Sequence, residues 1–326
     1  MASGESPGTQ ALRGERNQGG RAPHTEIPTV AAVVVTRNPG PWLERALQSL
    51  GSQDYPSLAV LVVDAASEED PGDRITGALP DAFVRRVPQS DFAAAANEAL
   101  YTVRNATFLL VCHDDVVFDP GVVRLMLEEA YRSNAGIVGP KIVDADNPEV
   151  LLEVGRSIDR FGNPHTGIEP GELDQAQHDG VRDVFYVSDA AMLVRTDLFH
   201  ELGGFDASRF PGAEDIDLCW RARLAGARVL VAPDARVQQP EATGSRGDGA
   251  APGGVAVARN RIRTMLTLSS ARTLLWVVPA GVAASILEAL LLTITLRRGS
   301  NQSTRHLGLA TFSASADMEI GCVPFA

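Results

Sequence analysis

Three short apolar runs, each leading directly into polar or acidic residues, restrict the fold of this chain more than any other feature. The runs are Val30–Thr36 (VAAVVVT), Leu58–Val63 (LAVLVV, followed by Asp64) and Phe108–Val111 (FLLV, followed by CHDD). Continuous apolar runs of this length are typical of strands buried on both faces of a parallel sheet. Between them, leucines recur at the helical spacing of positions 43, 47 and 50. The alternation predicts an α/β domain with a doubly wound, mostly parallel sheet.

The same periodicities assign most of the chain up to residue 240. They predict strands at Phe83–Val87, Gly136–Val143, Asp183–Leu193 and Val229–Ala232, and helices at Asp91–Val103, Val122–Tyr131 and from Glu214 to Gly226. Residues 144–180 have no periodicity and are rich in Gly, Pro, Asp and Gln. Long irregular stretches inside a domain are usually functional loops or lids, so we expect this one to take part in substrate selection.

Two adjacent carboxylates, Asp114 and Asp115, stand at the carboxyl end of the third run, where open α/β sheets bind their ligands. The strand is expected to end on these two acids, and because successive side chains face opposite sides, Asp115 and His113 share one face while Asp114 takes the other or lies in the turn. A carboxylate there could hold Mg²⁺ or Mn²⁺ against a diphosphate, directly or through water. The other interpretation is a helix cap, because Asp119-Pro120 start the next predicted helix.

The two ends of the chain differ from the α/β region. Residues 1–27 are rich in Gly, Ser, Arg and Pro without apolar periodicity, which predicts a disordered tail. After residue 240 we expect a loop and a basic amphipathic helix over 241–272, a transmembrane helix over 273–297 and an irregular tail over 298–326. The predicted span contains Pro279 and Glu288, so a buried C-terminal helix is the other interpretation.

Charge excludes one class of partner. The formal net charge is −12 at pH 7, and the chain has no basic stripe outside its termini. Proteins whose main partner is nucleic acid carry clustered positive charge, so we expect no nucleic-acid partner. Hydrophobic residues make up 44% of the chain, which is ample for a packed core.

Four motifs stand in one order along the chain: VVVTRN, LVVDA, HDDV and GGFDASRFPGAEDIDLCWRARLAG. In this combination the chain resembles the family 2 glycosyltransferases, which have the GT-A fold, over roughly Val30 to Pro240. Within the family it is similar to actinobacterial membrane-linked enzymes that build cell-wall or surface polysaccharide. The resemblance implies a GT-A domain over residues 28–240 that transfers a sugar, with inversion, from a nucleotide-diphosphate donor to a polysaccharide or lipid-linked acceptor.

The resemblance also implies which residues contact the nucleotide. Thr36 and Arg37, at the end of the first strand, occupy the position at which the family contacts the nucleotide. Asp64 matches the acid that accepts hydrogen bonds from the base or the ribose, although a strand-end cap is its other interpretation. Asn97 matches a residue in a helix that packs beside the donor, although an ordinary position on the helix surface is its other interpretation.

The HDDV motif occupies the family's Asp-x-Asp position, which binds a divalent cation. By resemblance Asp115 is the metal-binding acid and Asp114 lies at the donor. His113 replaces the first acid, either as a second metal ligand through its neutral imidazole or as a group that supports the ligands without touching the metal. The family commonly completes this site with a His after the last strand, in a Val-x-His context. Here Gln238 and Gln239 stand in that stretch, so the predicted Mg²⁺ or Mn²⁺ has fewer side-chain ligands.

Glu214 and Asp215 match the family's acid pair on the acceptor side, and the resemblance makes Asp215 the general base. The chemistry requires such a group, because displacement at the anomeric carbon needs an acceptor for the hydroxyl proton. The leaving diphosphate gains negative charge, which a bound divalent cation stabilises.

Two other functions fit parts of the sequence. A catalytically impaired, membrane-attached protein that binds nucleotide sugars or acts as a scaffold is consistent with Gln238 and Gln239. A sugar nucleotidyltransferase shares the sheet, but it needs a Gly-rich basic phosphate loop after the first strand, which residues 36–40 (TRNPG) do not supply. For a membrane-attached transferase we expect residues 1–270 to face the cytoplasm, because nucleotide sugars are cytosolic.

Overall fold

The computed structural model describes residues 27–159, 162–207 and 212–240, together with six single positions between Ile262 and Pro279. The chain divides into two units, Met1–Leu268 and Ser269–Ala326, and every helix and strand named below belongs to the first. Within the described ranges, no helix has the length and apolar character needed to cross a membrane. The predicted tails, basic helix and transmembrane helix lie outside the described residues, apart from those single positions and Ile27.

The N-terminal half alternates strands and helices as the sequence predicts. Its elements are β1 (Val30–Thr36), α1 (Leu43–Gly51), β2 (Leu58–Ala65), α2 (Gly72–Ala78), β3 (Phe83–Val87), α3 (Phe92–Ala96), α4 (Ala99–Thr102), β4 (Phe108–His113), β5 (Val117–Phe118), α5 (Val122–Ser133) and β6 (Ala135–Asp144). The predicted strands β1 and β3 are confirmed at both ends, and the predicted helix at α5 is confirmed to within two residues.

The C-terminal half contains four short strands and then the elements that complete the sheet. They are β7 (Leu151–Glu153), β8 (Ser157–Ile158), β9 (Pro164–His165), β10 (Arg182–Asp183), β11 (Ala191–Arg195), α6 (Thr196–Glu201), α7 (Glu214–Leu224) and β12 (Arg228–Gln239). The predicted start of a helix at Glu214 is confirmed.

Ten of the described strands form one sheet, in the order β3-β2-β1-β4-β11-β6-β12-β10, with β5 paired to β12 and β7 to β6. Within the series β3-β2-β1-β4 adjacent strands are parallel to one another, and β6 and β12 are parallel to each other. β11 is antiparallel to both β4 and β6. The predicted mostly parallel sheet is therefore a mixed one, and the carboxyl ends of β1, β2 and β4 meet at one edge.

The sheet is buried on both faces, which explains why β1 and β4 are apolar up to their last residue. In β1, Val33 packs in the core beneath α3, α4 and α7. Its neighbours Ala32 and Val34 point to the opposite core, beneath α1 and α5. Successive side chains of a strand point to opposite faces, so a strand covered on both sides must be apolar at every position.

β4 ends at His113, two residues before the expected end of the strand. The last pairs of this strand join His113 to Val35 of β1 and Cys112 to Ala191 of β11. Beyond these pairs the chain turns, and both Asp114 and Asp115 lie in the turn. The prediction that His113 and Asp115 share a strand face is therefore wrong.

The helix predicted over Asp91–Val103 is interrupted at Asn97, between α3 and α4. The N–H groups of Glu98 and Leu100 donate to carbonyls three residues back, which is a tighter turn than the α-helix makes. The interruption coincides with a tertiary role for the Asn97 side chain, described below. A local pattern does not report such a contact.

The predicted strand Asp183–Leu193 is displaced, because β11 begins only at Ala191. The residues before it bond to the irregular stretch instead, as when the N–H of Tyr186 donates to the carbonyl of Arg156 at 3.2 Å. The predicted strand Val229–Ala232 is shorter than the observed strand β12. β12 continues to Gln239 because it pairs in parallel with β6 from Arg228 to Ala232 and, after a bulge, again from Arg236 to Gln239.

The irregular stretch after β6 is fastened to the sheet by a buried cation. Lys141 of β6 is 4% exposed, and its Nζ donates to Asp174 at 2.9 Å and to Asp179 at 2.5 Å. A buried ammonium must be paired, so this contact holds the far end of the stretch against β6. The role of the stretch in substrate selection stays a prediction.

Candidate active site

Thr36 and Asp114 are joined at the edge where β1 and β4 end. The buried Thr36 hydroxyl donates to Oδ2 of Asp114 at 2.5 Å, and Arg37 follows, half-buried. Burial raises the pKa of Asp114, the hydrogen bond from Thr36 opposes that rise, and the charge of Asp115 adds to it. Asp114 therefore fixes the turn to β1.

Asp64 lies beside Thr36 in the register of β1 and β2 and is 1% exposed. Its Oδ1 accepts from the N–H of Ser67 at 3.1 Å, and its Oδ2 lies 3.2 Å from Nε of Arg86. Beside this turn is a polar pocket of about 400 Å³, lined by the loops that follow β1 and β2. Asp64 thus shapes the turn beside the pocket, and its contact with a base or ribose stays a prediction.

β12 delivers one glutamine to the turn that carries the two acids. Nε2 of Gln239 donates to Oδ1 of Asp115 at 3.1 Å. Nε2 of Gln238 instead donates to Oδ1 of Asp119 at 2.8 Å. Of the two glutamines, Gln239 is therefore the one that touches the predicted metal-binding acid.

His113 faces a carboxylate that sequence reasoning did not select. Its ring stacks on Phe92, with centroids 4.2 Å apart and planes 17° apart. Its Nε2 lies 3.6 Å from Oδ1 of Asp189, which is buried in the segment before β11. The proposed role of His113 as a metal ligand stays a prediction.

Glu214 and Asp215 form the first residues of α7, and both are buried. Oδ1 of Asp215 accepts from the N–H of Ile216 at 2.8 Å. Burial and the charge of Asp189 raise the pKa of Asp215 to about 8, although Arg156 opposes the rise. Burial also raises the pKa of Glu214. A carboxylate whose pKa lies near the working pH can accept a proton from a substrate.

Asp189 connects the two predicted halves of the site. It lies 3.6 Å from His113 at the donor strand end, and its charge acts on both Glu214 and Asp215. The end of β4 and the start of α7, which carry the predicted donor and acceptor acids, therefore face one common carboxylate.

Sequence reasoning missed three charged groups of this site. They are Asp189, Glu153 of β7 and Arg156, whose Nε lies 2.5 Å from Oε2 of Glu153. Asp189 follows an apolar segment, so the strand-end rule that selected Asp115 could have found it. Glu153 and Arg156 stand in the irregular stretch, where no pattern marks them.

Asn97 clamps the turn that leads towards the acceptor acids. Its Nδ2 donates to the carbonyl of Phe205 at 2.8 Å, and its Oδ1 accepts from the N–H of Phe205 at 2.8 Å. Arg221 of α7 donates to the carbonyl of Gly204 at 2.8 Å and is itself held by Asp217 at 2.6 Å. Asn97 thus positions a loop, and its predicted place beside the donor stays a prediction.

The clamp predicts unequal effects for two neighbouring glycines. Gly203 and Gly204 both have φ +73°, so an alanine strains the backbone at either position by about 1 kcal/mol. A Cβ at Gly204 would also overlap the Asn97 amide, whereas a Cβ at Gly203 would meet no described atom within 4 Å. We expect Gly204→Ala to cost about 2–4 kcal/mol and Gly203→Ala about 1 kcal/mol, as measured by urea unfolding. Equal losses would contradict the clamp.

The predicted metal site is compatible with a cation that is shared with a substrate. Within the described part of the chain, no cluster of three or more His, Cys, Asp or Glu side chains could hold a metal ion. Mg²⁺ is usually bound through one or two carboxylates plus substrate phosphates rather than by an all-protein cage. Asp115 fits that arrangement as the protein ligand.

Residues 28–263 match the profile of the family described as "Glycosyltransferase like family 2". The match covers well over half of the chain, and the chain belongs to this family. The mixed sheet with helices on both faces and acids at its carboxyl edge is thus the GT-A fold that the motifs predict.

Two relatives from Mycobacterium tuberculosis share this region. A pre-mycofactocin glycosyltransferase is 30% identical over 217 residues, which cover 66% of this chain and 43% of the relative. An N-acetylglucosaminyl-diphospho-decaprenol L-rhamnosyltransferase is 29% identical over 236 residues, which cover 63% of this chain and 74% of the relative. This chain therefore spans less than half the length of the first relative.

A solved structure has the same fold. GalNAc-T7, in complex with UDP, GalNAc and Mn²⁺, superposes with a TM-score of 0.58 at 13% identity. The superposition covers 74% of this chain and 48% of that chain. At this identity the similarity shows the fold alone.

Proposed function

We propose that this protein is an inverting glycosyltransferase that moves a sugar from a nucleotide-diphosphate donor to a polysaccharide or lipid-linked acceptor. Membership of family 2 supports transfer from a nucleotide sugar. In this proposal one end of the site binds the donor and the other end activates the acceptor. The observation that supports this division of roles is the shared carboxylate Asp189, which faces His113 on one side and acts on Asp215 on the other.

At the donor end we assign Asp115 as the residue that would hold a divalent cation. Such a cation would supply positive charge to the diphosphate as it leaves. The complex of GalNAc-T7 with UDP and Mn²⁺ supports a divalent cation in this fold. Thr36 holds Asp114, so the turn that presents Asp115 is fixed before the donor binds. Asp64 holds the N–H of Ser67 in the turn beside the pocket that we assign to the nucleoside.

At the acceptor end we assign the general base to Asp215, with Glu214 beside it. Asp215 takes the proton of the acceptor hydroxyl while the oxygen bonds to the anomeric carbon and the bond to the diphosphate breaks. One displacement of this kind inverts the anomeric configuration. A pKa raised to about 8 makes Asp215 a stronger base than an exposed carboxylate.

The acceptor and the location are further parts of the proposal. The similarity to a transferase that is named for a decaprenol-linked sugar supports a lipid-linked acceptor. The apolar sequence over 273–297 supports attachment to a membrane, with the GT-A domain on the cytoplasmic side, where nucleotide sugars are made.

The full-length protein should be incubated with Mn²⁺, UDP-, dTDP- and GDP-sugars, and polyprenyl diphospho-N-acetylglucosamine as the acceptor probe. We expect one donor to support transfer, and NMR of the product to show the inverted anomeric configuration. A product with retained configuration would contradict the displacement mechanism. Donor binding without transfer or nucleotide release would favour the catalytically impaired binding protein.

A further inference from the structure

An ion pair from the irregular stretch lies against the acceptor half of the site. Glu153 is 3% exposed, and Nε of Arg156 donates to its Oε2 at 2.5 Å. Oε1 of Glu153 accepts from the N–H of Ser188 at 3.2 Å. Because Ser188 immediately precedes Asp189, the pair is attached to the segment that carries the shared carboxylate.

The backbone of Arg156 is fixed by the same segment on which α7 rests. Its N–H donates to the carbonyl of Tyr186 at 2.9 Å, and its guanidinium lies 5.9 Å from the centre of the Tyr186 ring. From the other side, Arg223 of α7 donates to the carbonyl of Val184 at 2.9 Å. One segment therefore joins Arg156 to the helix whose first turn carries Asp215.

The charged groups that act on Asp215 are mostly acids. Asp189, in the segment before β11, and Glu153, of β7, raise its pKa, whereas Arg156, three positions after Glu153, opposes that rise. The Tyr186 hydroxyl and the Cys219 thiol of α7 also interact with it, but burial raises the pKa of both groups, so they stay neutral. Among these groups Arg156 is the cation. Burying a carboxylate beside like charge is costly unless a positive charge accompanies it.

We propose that Arg156 is the positioning residue for the general base. Its guanidinium, held by Glu153 and Tyr186, supplies the positive charge that stabilises the ionised form of Asp215. The proposal rests on the proposed role of Asp215. It gives the irregular stretch a defined function, which is to set the pH at which the base is ready to accept a proton.

A double-mutant cycle tests the interaction without any activity. Urea unfolding midpoints are measured for the wild type, Arg156→Met, Asp215→Asn and the double variant, at pH 6 and pH 9. At pH 9 Asp215 is ionised, so we expect Arg156→Met to lower the midpoint more in the wild type than in the Asp215→Asn background. At pH 6 Asp215 holds its proton, so the two losses should be equal. Equal losses at both pH values would overturn the proposal.

Arg156→Met leaves Glu153 buried without its partner, which can unfold the chain. The cycle is therefore repeated in a Glu153→Gln background, where that charge is absent. The same inequality at pH 9 is expected there, and its absence in a folded protein would overturn the proposal.

The pH dependence of transfer gives a second readout. The acceptor is polyprenyl diphospho-N-acetylglucosamine, and kcat/KM is measured as a function of pH. In Arg156→Met the rising limb of this pH profile should move to higher pH by about one unit. The variant should therefore lose about tenfold in kcat/KM at pH 7 and regain it above pH 9. Arg156→Lys, which keeps a charge, should move it less. A purely structural role would lower kcat/KM equally at every pH, and an unmoved limb would contradict the proposal.

A matched control is available on α5. Arg132 pairs with the buried Glu129 at the same three-residue spacing, so Arg132→Met removes a similar pair away from the site. Arg132→Met should leave the rising limb of the pH profile of kcat/KM at its wild-type position. If Asp215→Asn retains transfer, the proposed base is wrong, whereas the unfolding cycle still decides whether Arg156 and Asp215 interact.

Discussion

Replacing Asp215 by asparagine is expected to slow sugar transfer by about 10²–10⁴-fold, because the acceptor proton then has no base to accept it. Asparagine keeps the shape of the side chain and can still accept from the N–H of Ile216, so the helix start should be preserved. The measurement is the rate of nucleotide release with the acceptor probe, at saturating donor. A rate within tenfold of the wild type would remove Asp215 from the mechanism.

The same substitution is expected to stabilise the fold. The pKa of Asp215 rises from 3.8 to about 8 on folding, chiefly through burial. Between these values the unfolded chain releases a proton that the folded chain retains, so this group lowers stability as the pH rises from about 4 to 8. Asp215→Asn cannot ionise, and it should be more stable than the wild type at pH 8 by about 0.5–2 kcal/mol.

Asp217 provides the matched control for the direction of this change in stability. It is buried on the same first turn of α7, but it holds Arg221 at 2.6 Å. Asp217→Asn should therefore lower stability at pH 8, where Asp215→Asn raises it. Both are read from urea unfolding at pH 8. A loss of stability in Asp215→Asn would show that the buried Asp215 carboxylate does not destabilise the folded state.

Asp115→Asn is expected to weaken Mn²⁺ binding in the presence of UDP by about 100-fold or more, because a neutral amide replaces the one carboxylate assigned to the cation. The amide oxygen can still accept from Gln239, so the turn should keep its shape. Bound and free Mn²⁺ are distinguished by electron paramagnetic resonance.

The control for this loss is Asp119→Asn, four residues further along the chain. Asp119 pairs with Gln238 and Arg236 rather than with the proposed cation. Its variant should bind Mn²⁺ with UDP as the wild type does. If Asp119→Asn loses binding and Asp115→Asn does not, the cation lies elsewhere in the turn.

The central strands could be predicted from sequence because burial on both faces makes them apolar at every position. β12 could not, since its second half, from Pro233 to Gln239, is largely polar. It is a strand because its backbone pairs with β6, which a periodicity does not report. The break at Asn97 is similar, since the amide there bonds to Phe205, 108 positions away.

The residues of the candidate site also differ in whether the sequence alone could identify them. Asp115 and Asp215 stand at a strand end and a helix start, where position along the chain already suggests a role. Asp189 follows an apolar segment and could have been selected by the same rule, but its closeness to His113 is seen only in the folded chain. Arg156 stands in the irregular stretch, and it comes to act on Asp215 only when β7, the segment before β11 and α7 are assembled.

The most direct test of the central claim is donor binding by calorimetry in Mn²⁺, with UDP- and dTDP-sugars, on the wild type, Asp115→Asn and Asp215→Asn. The division of roles predicts that the wild type and Asp215→Asn bind the donor with similar affinity, whereas Asp115→Asn does not bind it. No binding of any nucleotide sugar by the folded wild type, or a loss of binding in Asp215→Asn with none in Asp115→Asn, would contradict it.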